Sequence, residues 1–316
     1  MPAIFYSLCS ALSLDDTLVQ INQLHMSIQS IRRFNRGLPI YVLNFGVPHP
    51  LMALGIDDAS VKLISQPDYR AALSEYCGNR SEALQQYRVH HKWLGLQYFV
   101  GCEEESLLYI DSDTIFFSDP SRLFERYSEY EWYAREEPHS SYSHLGIDTR
   151  YINEELLRLL ARERNAQFIQ PMNLGAILLN HRFWEKIVTI LPIFFSNIWN
   201  LLIWVAQNRS TEAQRDQRVK PIIDVVCRLA TPSDLMSSIP HPSSNLWIVG
   251  EIAMMLALGK LEKFSFGLFN KEHVIQGREF ADLQASQWAR REALLCHYYS
   301  KNYIAFLEAF PQFMRS

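Results

Sequence analysis

The chain has 316 residues, 48% hydrophobic and 20% charged, which suffices for one large domain or two modest ones with a real core. A net charge of -4 leaves no basic excess and speaks against a nucleic-acid surface. The five cysteines (Cys9, Cys77, Cys102, Cys227 and Cys296) are odd in number and form no Cys-x-x-Cys pair, which argues against a disulfide framework and for a reducing, cytoplasmic setting.

The N-terminus, Met-Pro-Ala-Ile-Phe-Tyr-Ser-Leu-Cys, has neither a positive lead nor a long apolar stretch, so 3–9 reads as a first strand rather than a signal peptide. From 15 to 36, Leu18, Ile21, Leu24, Ile28 and Ile31 recur at three- and four-residue steps, predicting a helix with Asp15, Asp16 and Thr17 as capping groups near its start. Strands are expected at 38–45 and 60–65. Strand, helix, strand implies a parallel sheet with a right-handed crossover. Residues 81–99 read as a helix with Leu84, Tyr87, His91, Leu94 and Tyr98 on one face. An acidic loop at 101–106 follows, then an apolar strand ending in Asp111 and Asp113.

Beyond it, a strand at 129–135, a helix at 153–164 and a strand at 175–179 are expected. Residues 187–206 are long and apolar, but Pro192, Ser196, Asn197 and Asn200 interrupt them. A buried helix, or one touching a membrane at its periphery, is expected there rather than a span. Residues 207–220 and 231–245 read as loops. The alternation of helices and strands gives the α/β class.

Leu107-Leu-Tyr-Ile-Asp-Ser-Asp113 is the most informative stretch. Its two carboxylates stand at i and i+2, which on an extended backbone aims them to one side. Such a pair resists joint ionisation unless something positive lies between them. A hard divalent cation, Mn²⁺ or Mg²⁺, suits oxygen ligands and leaves positions open for phosphate oxygens. In open α/β sheets, ligands bind beyond the carboxyl ends of strands, where this pair falls. The plainer reading is that the two aspartates cap a helix starting near Ser118-Asp119-Pro120.

Ile-Asp-Ser-Asp-Thr after an apolar run resembles the DxD motif of GT-A glycosyltransferases. Met172-Asn-Leu-Gly-Ala176 resembles the family's Asn-x-Gly strand, which lies along the donor sugar. Cys296-His-Tyr-Tyr299 resembles the late histidine of glycosyltransferase family 8, and Tyr87-Arg88 the Tyr-Arg pair before its DxD strand. The segment Trp247-Ile-Val-Gly-Glu251 resembles the Trp…Glu stretch that carries the base in several inverting GT-A enzymes. The resemblance implies a Rossmann-like GT-A fold with a mainly parallel central sheet. It implies a nucleotide-sugar-binding half at 1–180 and a largely helical acceptor half at 181–316, closely packed as one unit.

The same resemblance assigns roles. Asp111, Asp113 and His297 would hold the metal, with Ser112 beside the nucleotide. Tyr6, Ser7 and Asp15 would lie near base and ribose. Arg88, Lys92 or Lys301 would bring positive charge to the diphosphate. Asn173 and Gly175 would line the donor sugar. Glu251 would accept the acceptor's proton if the reaction inverts; a retaining reaction needs no separate base. UDP is the default nucleotide.

Plainer alternatives stand beside these. Asn173 satisfies backbone groups, His297 is a hydrogen-bonded core histidine, Arg88 and Lys92 form a solvated helix face, and Glu251 opens an ordinary helix. The competing functions are a haloacid dehalogenase-type phosphohydrolase, for which Thr114 stands one place early, and a non-catalytic sugar-nucleotide binder.

Overall fold

A computed structural model describes residues 1–9, 14–47, 60–65, 74–75, 91–99, 103–136, 154–207, 246–276 and 293–298. Arg88, Lys301, the first half of the helix expected at 81–99, and the two expected loops (from 208 on in the first) lie outside them.

The chain opens with β1 (Pro2–Cys9), α1 (Leu14–Phe34), β2 (Ile40–Phe45) and β3 (Val61–Ser65). These strands pair in parallel, β1 with β2 and β2 with β3. The first helix stops two residues short of expectation because Asn35 turns the chain. Its Oδ1 accepts the Gly37 and Leu38 amides at 3.2 and 3.0 Å. The helix α2 (His91–Leu96) and a 3₁₀ turn at Gln97–Phe99 lead to β4 (Ser106–Ile110), whose five residues are all buried. β5 (Thr114–Phe116) and the short α3 (Ser121–Arg126) follow.

β6 (Trp132–Glu136) begins later than expected, because the Tyr133 hydroxyl accepts the amides of Glu129 and Tyr130 and holds them in a turn. Then come α4 (Glu154–Glu163), β7 (Met172–Asn180), α5 (Trp184–Gln207), α6 (Leu246–Leu258), β8 (Phe266–Leu268), β9 (Val274–Gln276) and β10 (Leu295–His297).

The main sheet has seven strands in the order β3-β2-β1-β4-β7-β6-β8. Four of its six pairings are parallel, and β7 runs antiparallel to both its neighbours. A second sheet, β5-β10-β9, flanks it. The central strands of the main sheet are buried on both faces, as their apolar sequences require, while the edge strand β3 is largely exposed. On one face lie Phe5, Leu43, Tyr109, Leu179 and the helices α2, α5 and α6; on the other, Ile4, Tyr6, Val42, Leu108, Leu178 and α1.

α6 is buried from Gly250 through Leu258, and α5 lays Ile187, Ile190, Leu191, Phe194, Phe195 and Ile198 against the same core. Val188, Thr189, Pro192 and Ser196 form its outer edge. Pro192 removes the donor that would have met the Val188 carbonyl, and it does so on an edge that is open to solvent. Among the described residues no helix is long and apolar enough to cross a membrane.

Candidate metal centre at the rim of the sheet

β4 is the strand where the sheet changes character, parallel to β1 on one side and antiparallel to β7 on the other. Asp111 and Asp113 leave its carboxyl end. They do not occupy an extended strand, as the i, i+2 argument supposed. Residues 111–113 form a bend between β4 and β5, and this bend brings the carboxylates together. Two bonds and a strand pairing fix it: the Asp111 amide to the Gly175 carbonyl at 2.8 Å, the Tyr298 amide to the Asp113 carbonyl at 3.0 Å, and the β5–β10 pairing that sets Thr114 opposite His297.

His297 arrives on β10 from far along the chain. One ligand atom from each of Asp111, Asp113 and His297 lies within 4.8 Å of the others. His297 Nε2 is 3.2 Å from Asp113 Oδ1 and 3.9 Å from Asp111 Oδ2. The ring's other nitrogen, Nδ1, donates to Asn173 Oδ1 at 3.2 Å, and that oxygen also accepts the Gly175 amide at 3.0 Å. Asn173 therefore fixes the ring: Nδ1 carries a hydrogen, and Nε2 faces the two aspartates. A neutral ring presents a lone pair there, which needs a cation between it and the carboxylates. Without a metal, the cation is a proton. Burial disfavours the charged ring, but Asp113, by charge and hydrogen bond, and then Asp111 outweigh burial and the nearby Lys92, and hold the His297 pKa above its ordinary value. Two carboxylates plus an imidazole locked by an outer amide is a donor set that fits a divalent cation.

Gly175 makes this approach possible. A Cβ at that position would overlap the His297 ring. β7 also carries an irregularity here. Ala134 of β6 pairs with Ile177, but Arg135 pairs with Asn173, so Leu174, Gly175 and Ala176 bulge away from β6. Towards β4 the ladder stays regular as far as Ala176. The bulge re-aims Asn173 at the histidine, as bulges beside sites commonly do.

Lys92, on α2, supplies positive charge at the same rim. Its ammonium is 3.8 Å from Asp111 Oδ1, donates to the Leu174 carbonyl at 3.2 Å, and lies 5.2 and 5.5 Å from the ring centroids of Trp93 and Tyr109. Tyr109 also bonds Asp111, its hydroxyl donating to Oδ1. Burial first, then the Asp111 charge, push this phenol far above its usual pKa, so it remains a donor. Tyr109 is not among the residues expected from the sequence, although its place two residues before Asp111 is a visible signal.

The remaining candidates are distributed differently. Asp111 and Asp113 do not cap α3; Asp119 does, accepting the Ser121 amide at 2.9 Å. Burial works against the Asp119 charge, but bonds from Ser121 and Asn35 win and lower its pKa. Tyr6 is fully buried in the core against α1, its hydroxyl 2.6 Å from Ser27 Oγ, and burial pushes its pKa up. Its side chain is thus core rather than a lining for a nucleotide base. Ser7 is buried further along β1, towards the same end as Asp111, while Asp15 is exposed in the first turn of α1 and Ser112 is partly exposed in the bend. Glu251 is buried in the middle of α6, five residues from its start, so the helix-opening reading is wrong.

No family model matches the chain, and neither does any curated protein. Solved structures do match. The galactosyltransferase LgtC, in complex with donor and acceptor sugar analogues, superposes with a TM-score of 0.50 at 11% identity, covering 100% of this chain and 95% of that one. An active-site variant of LgtC gives a TM-score of 0.50 at 11% identity, over 98% and 96%. The glycosyltransferase GlyE of Streptococcus pneumoniae gives 0.46 at 15% identity, where this chain, covered in full, spans 63% of GlyE. The architecture is the GT-A fold, and the Asp-Asp-His group stands on its rim.

Proposed function

We propose that this protein is a metal-dependent glycosyltransferase that moves a sugar from a nucleotide-diphosphate donor, UDP in the first instance, to an acceptor hydroxyl. The observation that carries the proposal is the meeting of Asp111, Asp113 and His297 from two distant parts of the chain at the carboxyl end of β4. A convergence of that kind is not needed to build the sheet, and it supplies ligands of the type Mn²⁺ or Mg²⁺ prefers. A divalent cation held there would act as a Lewis acid towards a departing diphosphate.

The protein's own groups divide the rest of the work. Lys92 holds a fixed positive charge beside Asp111, where it favours an incoming diphosphate and its developing negative charge. Asn173 orients His297 and keeps Nε2 available. Ser7, Asp15, Ser112 and Gly175 are proposed to contact the nucleotide and donor sugar, and Arg88 and Lys301 the diphosphate. In an inverting reaction, Glu251 would take the acceptor's proton. The haloacid dehalogenase alternative is not favoured, because the sheet that carries the aspartates has the GT-A arrangement.

The test is turnover. The protein is incubated with Mn²⁺ and a set of UDP- and GDP-sugars, and free nucleotide is measured. Nucleotide release from one donor that requires Mn²⁺ and disappears in Asp113→Ala supports the proposal. Release of phosphate from simple phosphomonoesters, with every sugar nucleotide left intact, would sink it.

A further inference from the structure

The two oxygens of Asp111 are not equivalent. Oδ1 accepts the hydroxyl of Tyr109 and lies 3.8 Å from the Lys92 ammonium. Oδ2 is the oxygen that faces His297 Nε2, at 3.9 Å. We infer that Tyr109 is a positioning residue for the metal centre: by occupying Oδ1 it presents Asp111 to a cation through Oδ2 alone, and so favours small six-coordinate cations over Ca²⁺. The inference rests on the metal-centre reading of Asp111, Asp113 and His297 and adds a residue and a selectivity to it.

The phenol suits the task because it cannot readily turn away. It sits in β4, where residues two apart share a side, so its hydroxyl reaches the first residue beyond the strand. Its ring is buried, 5.6 Å from the Phe5 ring centroid, with the Lys92 ammonium on its face. Lys92 is in turn tied to the Leu174 carbonyl. Oδ1 is thus bound from a rigid strand and approached by a tethered cation, while Oδ2 faces the His297 nitrogen.

The consequence for selectivity follows from coordination chemistry. Ca²⁺ takes six to eight oxygens at longer distance and often engages both oxygens of a carboxylate; Mg²⁺ demands a compact octahedron of single oxygens. A carboxylate with one oxygen already engaged meets the second requirement and opposes the first. Mn²⁺, another octahedral oxygen-seeking ion, serves as the probe.

The experiment is calorimetric titration of the full chain with Mn²⁺ and with Ca²⁺, on wild type, Tyr109→Phe and Asp113→Ala, with thermal midpoints recorded for each. Tyr109→Phe keeps the ring contacts, and the oxygen it releases belongs to a side chain 30% exposed, which water can hydrate, so the variant is expected to fold. The expected result is Mn²⁺ binding weakened by about 10- to 100-fold in Tyr109→Phe, the range for loss of an outer partner of a metal ligand. Ca²⁺ binding should weaken less or strengthen, so the preference for Mn²⁺ narrows. A purely structural role would not move that ratio. Unchanged affinities for both ions would overturn the inference while wild-type binding, lost in Asp113→Ala, upheld the metal centre. An equal loss for both ions would overturn the one-oxygen claim. Wild type binding neither ion would overturn the metal-centre reading and the inference together.

Discussion

Two buried carboxylates, each 8% exposed, show how differently this protein treats negative charge. Glu131 is tied down through one oxygen. Its Oε2 accepts the Lys186 ammonium at 2.7 Å, the Ser265 amide at 3.0 Å and the Ser265 hydroxyl at 3.3 Å. That carboxylate ties the start of β6 to α5 and to the turn before β8. Asp113 is arranged otherwise. It shares a small space with a second carboxylate and an imidazole, and the charged neighbours of its partner Asp111 stand off at 3.8 and 3.9 Å. Direct short bonds neutralise the structural acid. The rim acids share one imidazole, 3.2 Å from Asp113 and 3.9 Å from Asp111, in a cluster whose facing donor atoms an ion can bridge.

Substitutions should separate these two uses of charge. Asp113→Ala has the largest expected effect on the rim: loss of Mn²⁺-dependent nucleotide binding by at least about 100-fold, the scale on which a preorganised charge partner acts. Its thermal midpoint in the metal-free protein, read above the raised His297 pKa, should stay close to that of wild type. Unchanged metal affinity in a calorimetric titration would contradict the comparison outright. Gly175→Ala comes next. The added methyl displaces the His297 ring without altering any ligand, so Mn²⁺ affinity should fall by about 10- to 100-fold. Equal affinity would mean that His297 is not a ligand.

Acidification should act more gently. His297 binds its proton above the ordinary histidine value, so metal must displace that proton. Mn²⁺ affinity should fall by up to about tenfold per pH unit as pH drops below the raised pKa. The metal-free protein should show the opposite linkage. The stability that the protonated ring contributes is fully present below the unfolded value, about 6.5, and is lost as pH rises through the folded value. Thermal midpoints across pH, with and without Mn²⁺, test both signs. Glu131→Ala should leave Mn²⁺ affinity where it was. It should lower stability by about 2 kcal/mol, less than the 3–5 of a fully buried pair because Lys186 is 23% exposed. A drop in metal affinity at constant stability would erase the contrast.

Much of this was legible in the sequence. An apolar strand ending in two aspartates located the rim, because buried strands do not end in paired charges without reason. The β1–α1–β2 start was readable from its change of period. Three things were not. The resemblance puts Tyr6 near base and ribose, but β1 is covered on both faces, and the alternation that turns Phe5 towards α2 turns Tyr6 towards α1. The convergence of His297 with Asp111 depends on the β5–β10 pairing, made by two three-residue strands too short to leave a periodic signature. Only the resemblance of Cys296-His-Tyr-Tyr299 to a known motif had pointed there. The bulge that aims Asn173 is a register event between β6 and β7, and register is not written in either strand alone. Tyr109, by contrast, could have been found by counting two residues back from Asp111.

The most direct measurement is calorimetric titration of UDP into the full chain, with and without Mn²⁺. The account predicts that UDP binds in the presence of Mn²⁺ and much more weakly in its absence, because the cation completes the gap among Asp111, Asp113 and His297. UDP binding that is equal in both conditions, or absent from both, would contradict it.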